Sequence, residues 1–444
     1  QYVIYYQKMI DLIRQKLKEI DEDFQDRKFV LAVSAGIDSM VLLHCFDRLN
    51  LSFIIAHCNF NLRGSESEKE TEFLLQHSKE KEYSIFVKHF DTEVYSDINK
   101  VSIQIAAREL RYNWFEDIRK ENQSDYIVTA HHLNDQIETY LINTVRATGV
   151  KGLSGIPMVN GVIVRPMLNI SRNKIQDFAM INQIVWKDDS SNASTKYIRN
   201  KIRHQIVPVL EELHDDVYSN FVRLFTNLKE DQKLKELYLH ELKNKFVTVN
   251  NENTYIKYED VLAESSGFLK LKHLIRMYGF TDEIEISKFL DAESGKSIFT
   301  NDLEMLKNRS QLIIRKKTHL NPKEYEFFVG ENLVTEDISL IFETDFLATN
   351  DYPINEIVVD LDKIGDFLKL RKTREGDYFH PFGMFGRKKV SKYFKDIKLS
   401  KFEKEDVWLL VNASNEIIWI VNHRFDDRFK IDEQTQKTIK IISK

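Results

Sequence analysis

FVLAVSAGIDS, residues 29–39, is the stretch whose reading decides the fold. Phe29 to Val33 is an unbroken apolar run, and Ser34-Ala35-Gly36-Ile37-Asp38-Ser39 then places two hydroxyls, a glycine and a carboxylate within six residues. A buried strand that empties into a short polar turn is where an open parallel sheet holds its ligand. With a helix beginning by Met40, the turn's backbone N–H groups and the helix N-terminus face an anion together. The expectation is a pyrophosphate cradle. The turn has neither the glycine spacing of a dinucleotide fingerprint nor the Gly-Lys-Ser/Thr ending of a Walker loop. Asp38 would repel phosphates unless a divalent cation lay between them, so the chemistry implies Mg²⁺.

Outward from this turn, apolar runs at 51–56, 84–87, 126–129 and 161–164 alternate with helical stretches near 66–81, 101–120 and 134–146. Ser171 is a natural N-cap for a helix reaching Ile181. The alternation predicts an α/β fold, a doubly wound parallel sheet. From Tyr197 to about Asn244 the pattern changes to long charged helices. Leu210, Leu213, Val217, Phe221, Leu224 and Leu228 recur at three- and four-residue steps as a core-facing stripe. Val261–Phe299 reads as mostly helical and Gln311–Arg315 as a strand. A linker-like stretch follows near Leu347–Pro353, then strands at Glu356–Leu361 and Glu416–Val421 and a helical period over Lys388–Phe394. Three domains are expected: a catalytic domain over 1–213, a mainly helical middle domain over 214–350 and a small α/β C-terminal domain over 351–444.

A chain of 444 residues is too long for one core. No apolar run approaches the roughly 20 residues that span a bilayer, and the N-terminal stretch, broken by Lys8, Asp11 and Arg14, reads as an amphipathic helix and not a signal peptide. Cys45 and Cys58 are the only cysteines, which excludes a disulfide framework or a cysteine metal cluster and makes a reducing cytoplasm the expected compartment, with no membrane partner. The net charge of −5 offers no global argument for nucleic-acid binding. Locally, however, Arg387, Lys388, Lys389, Lys392, Lys395 and Lys398 share twelve residues with one acid, Asp396. Such a run suits a solvated face. The interleaved Tyr393 and Phe394 suit an RNA-facing one.

Three further groups could carry chemistry. Thr129-Ala130-His131-His132-Leu133-Asn134-Asp135-Gln136-Ile137-Glu138-Thr139 follows an apolar strand, which puts it at the same sheet edge as the first turn. His131, Asp135 and Glu138 are spaced by four and three, on one side if helical, and could hold a metal or bind and deprotonate an amine. Acids favoured by a helix N-terminus would look the same. Arg108 and Arg111, three apart, can clamp a phosphate or carboxylate, or form an exposed salt-bridged face. Arg199, Lys201, Arg203 and His204 gather cation at a domain boundary, where substrates bind, although a solvated helix start fits them equally well.

In their order along the chain, SAGIDS, AARELRY, TAHHLNDQIET, GLSGIP with VRPML, DDSSN with RNKIRHQIVP, and the C-terminal GDYFHPFG, KKVSKYFKD and IIWIVNHRFDDRFK resemble the tRNA(Ile)-lysidine synthetases. Those are members of the PP-loop family of N-type ATP pyrophosphatases, with an adenine-nucleotide hydrolase-like sheet. The resemblance covers essentially the whole chain and is weakest across about 235–335. It implies adenylation by ATP of the wobble cytidine of the isoleucine tRNA with a CAU anticodon, then attack by the ε-amine of free lysine, giving lysidine and releasing AMP. By motif position, Ser34, Ala35, Gly36, Ile37, Asp38 and Ser39 would bind ATP, and Asp38 and Asp135 the Mg²⁺. His131, Asp135, Glu138 and Arg111 would bind lysine and the reacting groups. Arg203 would contact phosphate or tRNA, and Arg199 with Arg387, Lys388, Lys389 and Lys392 would hold tRNA. The assembly is left open to a homodimer. Asp38→Ala and Glu138→Ala are each expected to abolish lysidine formation with the fold intact.

Two departures stand near the site. Ala35 replaces the family loop's first glycine, so it must take negative φ or accept strain. After Asn59 comes Phe60, where the family commonly has histidine. A tRNA thiolase of the same family would need reactive cysteines or a metal cluster, and no C-x-x-C exists. A tRNA-binding protein with a decayed nucleotide site would not be expected to keep Asp38, Asp135, Glu138 and both arginines.

Overall fold

The structure, a computed structural model, describes residues 2–62, 64–187, 198–250, 252–317, 324–344 and 353–444, with side chains from Lys8 onward. Arg63, Tyr197, the DDSSN stretch at 188–192, the 350/351 boundary and all but Pro353 of the expected linker lie outside the described residues. The chain divides into two compact units, Gln1–Leu237 and Tyr238–Lys444, where the sequence reading divides it into three.

The first unit is built as α1 (Tyr2–Ile20), β1 (Lys28–Ala32), α2 (Ile37–Arg48), β2 (Ser52–Asn59), α3 (Ser65–Glu80), β3 (Ile85–His89), α4 (Thr92–Asn99), α5 (Ile103–Glu121), β4 (Tyr126–Val128), α6 (Leu133–Val145), α7 (Val150–Leu153), β5 (Val159–Asn160), β6 (Ile163–Val164) and α8 (Arg172–Ile181). α9 (Ile198–Lys201), one π-helical turn over Ile202–Ile206, α10 (Val207–Leu213) and α11 (Val217–Phe246) follow. The sheet order is β3-β2-β1-β4-β6-β5, parallel except for the β5–β6 hairpin. Phe29, Leu31 and Val33 pack into a core with α1, α2 and α8, while Val30 and Ala32 pack with Trp114, Phe115 and Ile118 of α5. Burial on both faces explains why β1 reads as a continuous apolar run and not as an alternating one. The doubly wound sheet expected from the sequence is present. Its order reverses between β1 and β4, which opens a crevice at their carboxyl ends.

Two local expectations shift. Ser171 holds the N-cap position of α8, but its side chain makes no cap hydrogen bond. The apolar stripe of the long helices is displaced: Phe225 is buried with Tyr218, Phe221 and Val222 around it, whereas Leu213 is 73% exposed. The helix ends at His214, so Leu213 sits at a terminus and the three- and four-residue period does not run through it.

In the second unit the middle helices Tyr258–Leu262, Gly267–Arg276 and Glu283–Asp291 pack on a five-stranded sheet. The sequence reading anticipates only Gln311–Arg315 of that sheet. The C-terminal part has a five-stranded and a four-stranded sheet, with a core around Trp419, Leu410 and Leu368. Glu356–Asp360 and Ile417–Ile420 are strands as expected. The helix expected over Lys388–Phe394 instead spans Val390–Asp396, and Lys388–Lys389 pair with Tyr378–Phe379 as a short ribbon. Val390, Tyr393 and Phe394 are its buried residues. The i, i+3, i+4 spacing is that of an inward stripe, so these two aromatics belong to the core and do not face RNA. No helix among the described residues is long and apolar enough to cross a membrane.

Candidate active site

The turn after β1 folds on its own hydroxyls. Ser39 Oγ donates to the Gly36 carbonyl at 2.9 Å and accepts from the Ser34 backbone N–H at 3.2 Å. Gly36 is the N-cap of α2 with φ −69°, a value any residue can adopt. Ala35 has φ +69° and is fully buried. It therefore accepts left-handed backbone strain of about 1 kcal/mol, at the position where the sequence lacks its glycine. Its carbonyl accepts from the Lys187 backbone N–H at 3.0 Å, which ties the chain after α8 to the turn.

A cavity of about 390 Å³ opens at the reversal point of the sheet, lined among others by Ser34, Gly36, Asp38, Ser39, Arg111, His131, Asp135 and Lys187. The turn and the TAHHLND stretch thus meet as the sequence predicts. Phe60, standing at the family's histidine position, also lines the cavity and carries the Arg111 guanidinium over its ring at 5.1 Å. Asn59 is buried and structural: its amide donates to Glu68 at 2.9 Å and Thr71 at 3.2 Å, and it accepts from the Asn61 backbone at 2.9 Å. Arg108 does not share a clamp with Arg111. Its guanidinium lies over the Tyr112 ring at 4.8 Å.

His131 precedes α6 and is not on its face, because the helix starts at Leu133. Its Nδ1 pairs with the Thr129 hydroxyl at 2.8 Å. Burial holds its pKa down at about 4, with Arg165, Arg199 and Arg108 pressing the same way against Asp135. Arg165, at the end of β6, is itself buried; Nη1 donates to the Pro157 carbonyl at 2.8 Å and Nε has no partner among the described residues. The neighbouring His132 goes the other way. Burial opposes its charge, but Asp135 and Asp38, each 3.6 Å from Nε2, raise its pKa above the usual value. The sequence reading passes over His132, although the His-His doublet beside two acids is a visible signal. Lys187 is missed as well; it follows a short apolar stretch with no local mark of a site.

Glu138 is fully buried and absent from the cavity wall. Its two oxygens are held by Arg199 Nε at 2.6 Å and Arg203 Nε at 2.7 Å. Arg199 also reaches Asp135 at 3.0 Å, and the π turn brings Arg203 to the same side, 3.7 Å from Asp135. Burial disfavours charge on Asp135, yet His132 and then Arg199 overcome it and hold its pKa at about 2. Asp38, Asp135 and Glu138 thus face Arg199, Arg203 and an imidazole whose protonated form they favour. Phosphates entering the cavity would need further positive charge.

Asp38 fits a cation: its Oδ1 is buried and, among the described residues, has no hydrogen-bond partner. Asp135 fits one only by releasing partners, since Oδ2 accepts from the His132 backbone at 3.0 Å and Oδ1 from Arg199. Among the described residues no three His, Cys, Asp or Glu side chains form a metal cluster, so the other ligands would be phosphate oxygens and water. Neither thiol suits catalysis, because burial raises Cys45 strongly and pushes Cys58, on the cavity wall, up to about 12. Arg387, Lys388, Lys389 and Lys392 lie in the second unit; Lys388 is paired with Asp396 at 2.6 Å, and the other three are exposed.

Comparison with known proteins agrees along the whole chain. Residues 9–210 match a PP-loop domain, 249–317 a TilS substrate binding domain and 368–441 a TilS substrate C-terminal domain. The tRNA(Ile)-lysidine synthase of Parabacteroides distasonis is 36% identical over 97% of this chain and 99% of its own. That of Bacteroides thetaiotaomicron is 33% identical over 93% and 95%, and that of Caldanaerobacter subterraneus 30% over 98% and 97%. The chain belongs to the tRNA(Ile)-lysidine synthase family.

Proposed function

We propose that this protein ligates free lysine to carbon-2 of the wobble cytidine of tRNA(Ile) with a CAU anticodon, using ATP and Mg²⁺ through an adenylated cytidine. The observation that carries the reading is the shared cavity, where the polar turn 34–39 meets His131, after β4, and Asp135, in the first turn of α6, at the switch point of the sheet. The turn 34–39 would take the phosphates of ATP, with Asp38 holding Mg²⁺. The ion, when bound, would neutralise phosphate charge as pyrophosphate leaves. Arg111 and Lys187 are the cations on the wall that would add to it.

The second step needs a neutral amine. An ε-ammonium with a reference pKa near 10.4 is protonated at pH 7. Asp135, held ionised, would attract and orient it. His131, held neutral, offers a ring nitrogen able to take a hydrogen bond from the attacking amine. Arg199 and Arg203 would hold the acids in place or turn to RNA phosphates. Here 1–213 supplies the chemistry, while 214–350 and 351–444 would position the tRNA.

The test is to incubate the protein with ATP, Mg²⁺, radiolabelled lysine and unmodified tRNA(Ile) transcript. Label in RNA together with pyrophosphate release is expected. Sulfur incorporation independent of lysine, or RNA binding without pyrophosphate release, would overturn the reading.

A further inference from the structure

We infer that Phe385 is a stacking platform for an unpaired base of the RNA substrate, held out by the turn 381–386; this rests on the function proposed above. Phe385 is fully exposed. Among the described residues, no aromatic ring or cation is placed against it, whereas neighbouring Phe382 stacks on Phe425 at 4.3 Å. Gly383 at φ +75° and Gly386 at φ +84° flank the tip, and both values are ones that side chains with a Cβ rarely adopt.

The base of the turn is well held. Pro381 bridges to Asp426, Phe382 N–H donates to the Phe425 carbonyl at 3.1 Å, and Arg424 donates to the Phe382 carbonyl at 2.7 Å. Gly383 N–H donates to Asp427 at 3.0 Å and Met384 N–H to the Pro381 carbonyl at 2.9 Å. A ring presented to water by an anchored turn adds nothing to folding, and a single π face suits a base. The charge next to it selects the partner. Arg387, Lys389, Lys392, Lys395 and Lys398 are all exposed, and the one acid in the run, Asp396, is paired to Lys388. Asp426 and Asp427 are taken up in anchoring the turn, and the exposed cationic run that begins at Arg387, two residues after the bare ring, fits a polyanion with exposed bases. A protein interface, in contrast, is depleted of charge at its core.

The experiment measures the dissociation constant of tRNA(Ile) for the full chain and three variants. Phe385→Ala should weaken binding about tenfold with an unchanged Tm, because the ring packs on nothing. Phe385→Trp should restore wild-type binding and Phe385→Leu should not. Unchanged binding in Phe385→Ala would overturn the inference, as would full rescue by leucine, or loss of binding to anionic vesicles with tRNA binding intact. Wild-type lysidine formation alongside any of these would leave the function standing and remove only the role of Phe385.

Discussion

Two sets of charges in this chain obey opposite rules. In the first unit, Asp38, Asp135 and Glu138 meet His132, Arg199 and Arg203 in a compact group around a fully buried carboxylate. Along 387–398 of the second unit, exposed cations stand with little to neutralise them. Buried charge is costly unless paired, and once paired it is fixed in geometry. Exposed charge is cheap, mobile and screened by salt. The first arrangement suits groups that must be in place before a reaction. The second suits reversible hold on a long polyanion, whose bound counterions leave as the protein binds.

The contrast breaks first at Asp38. Asp38→Ala should lower lysidine formation by about 10³-fold or more with only a small fall in Tm, since Asp135 remains beside His132 once the Asp38 carboxylate is gone. Substantial activity in this variant would remove Asp38 from phosphate and metal binding. Glu138 differs, and the structure revises the expectation that its loss spares the fold. Glu138→Gln leaves two guanidinium groups facing a neutral amide. The usual cost of breaking a buried pair, discounted for the partial exposure of both arginines, is about 2 kcal/mol. For a unit of this size that corresponds to roughly 4–8 °C in Tm. A thermal shift under one degree would mean that the pairing contributes little.

On the other side of the comparison, Lys389→Ala combined with Lys392→Ala should weaken tRNA binding by several-fold at physiological salt. It should also lower the slope of log affinity against log salt by about 1–2, with Tm unchanged. An unaltered slope would show that these lysines do not meet phosphate.

The last effect is one of pH and concerns His131. Its pKa is about 4 in the folded chain against 6.5 unfolded. The unfolded state thus binds the proton more readily, so the stability His131 contributes by staying neutral is complete above pH 6.5 and is lost as pH falls toward 4. Wild type should lose Tm between pH 7 and 4.5 more steeply than His131→Asn. Parallel curves would show that the ring titrates normally.

Legibility in the sequence followed the range of the forces involved. The parallel sheet could be read because a strand buried on both faces writes a continuous apolar run, and the turn could be read because its polar residues are contiguous. Half of the His132 bridge is local, since Asp135 lies three residues on, but the Asp38 half is not, because that carboxylate reaches it only through the pairing of β1 with β4. Glu138 was expected at the cavity but turned inward, because Arg199 and Arg203 approach from some sixty residues away in sequence. Tyr393 and Phe394 are legible by spacing, since with Val390 they mark one buried stripe, whereas the basic residues interleaved with them mark the opposite, solvated face. Phe385 was written only as a phenylalanine between glycines.

Cys58 on the cavity wall bears on chemoselectivity. An adenylated base is an electrophile open to any nucleophile in the chamber, and a thiolate would outrun an amine. Burial pushes its pKa up to about 12, so the thiol stays protonated at neutral pH. A thiol kept protonated is a poor nucleophile, so burial of Cys58 limits self-capture of the activated base.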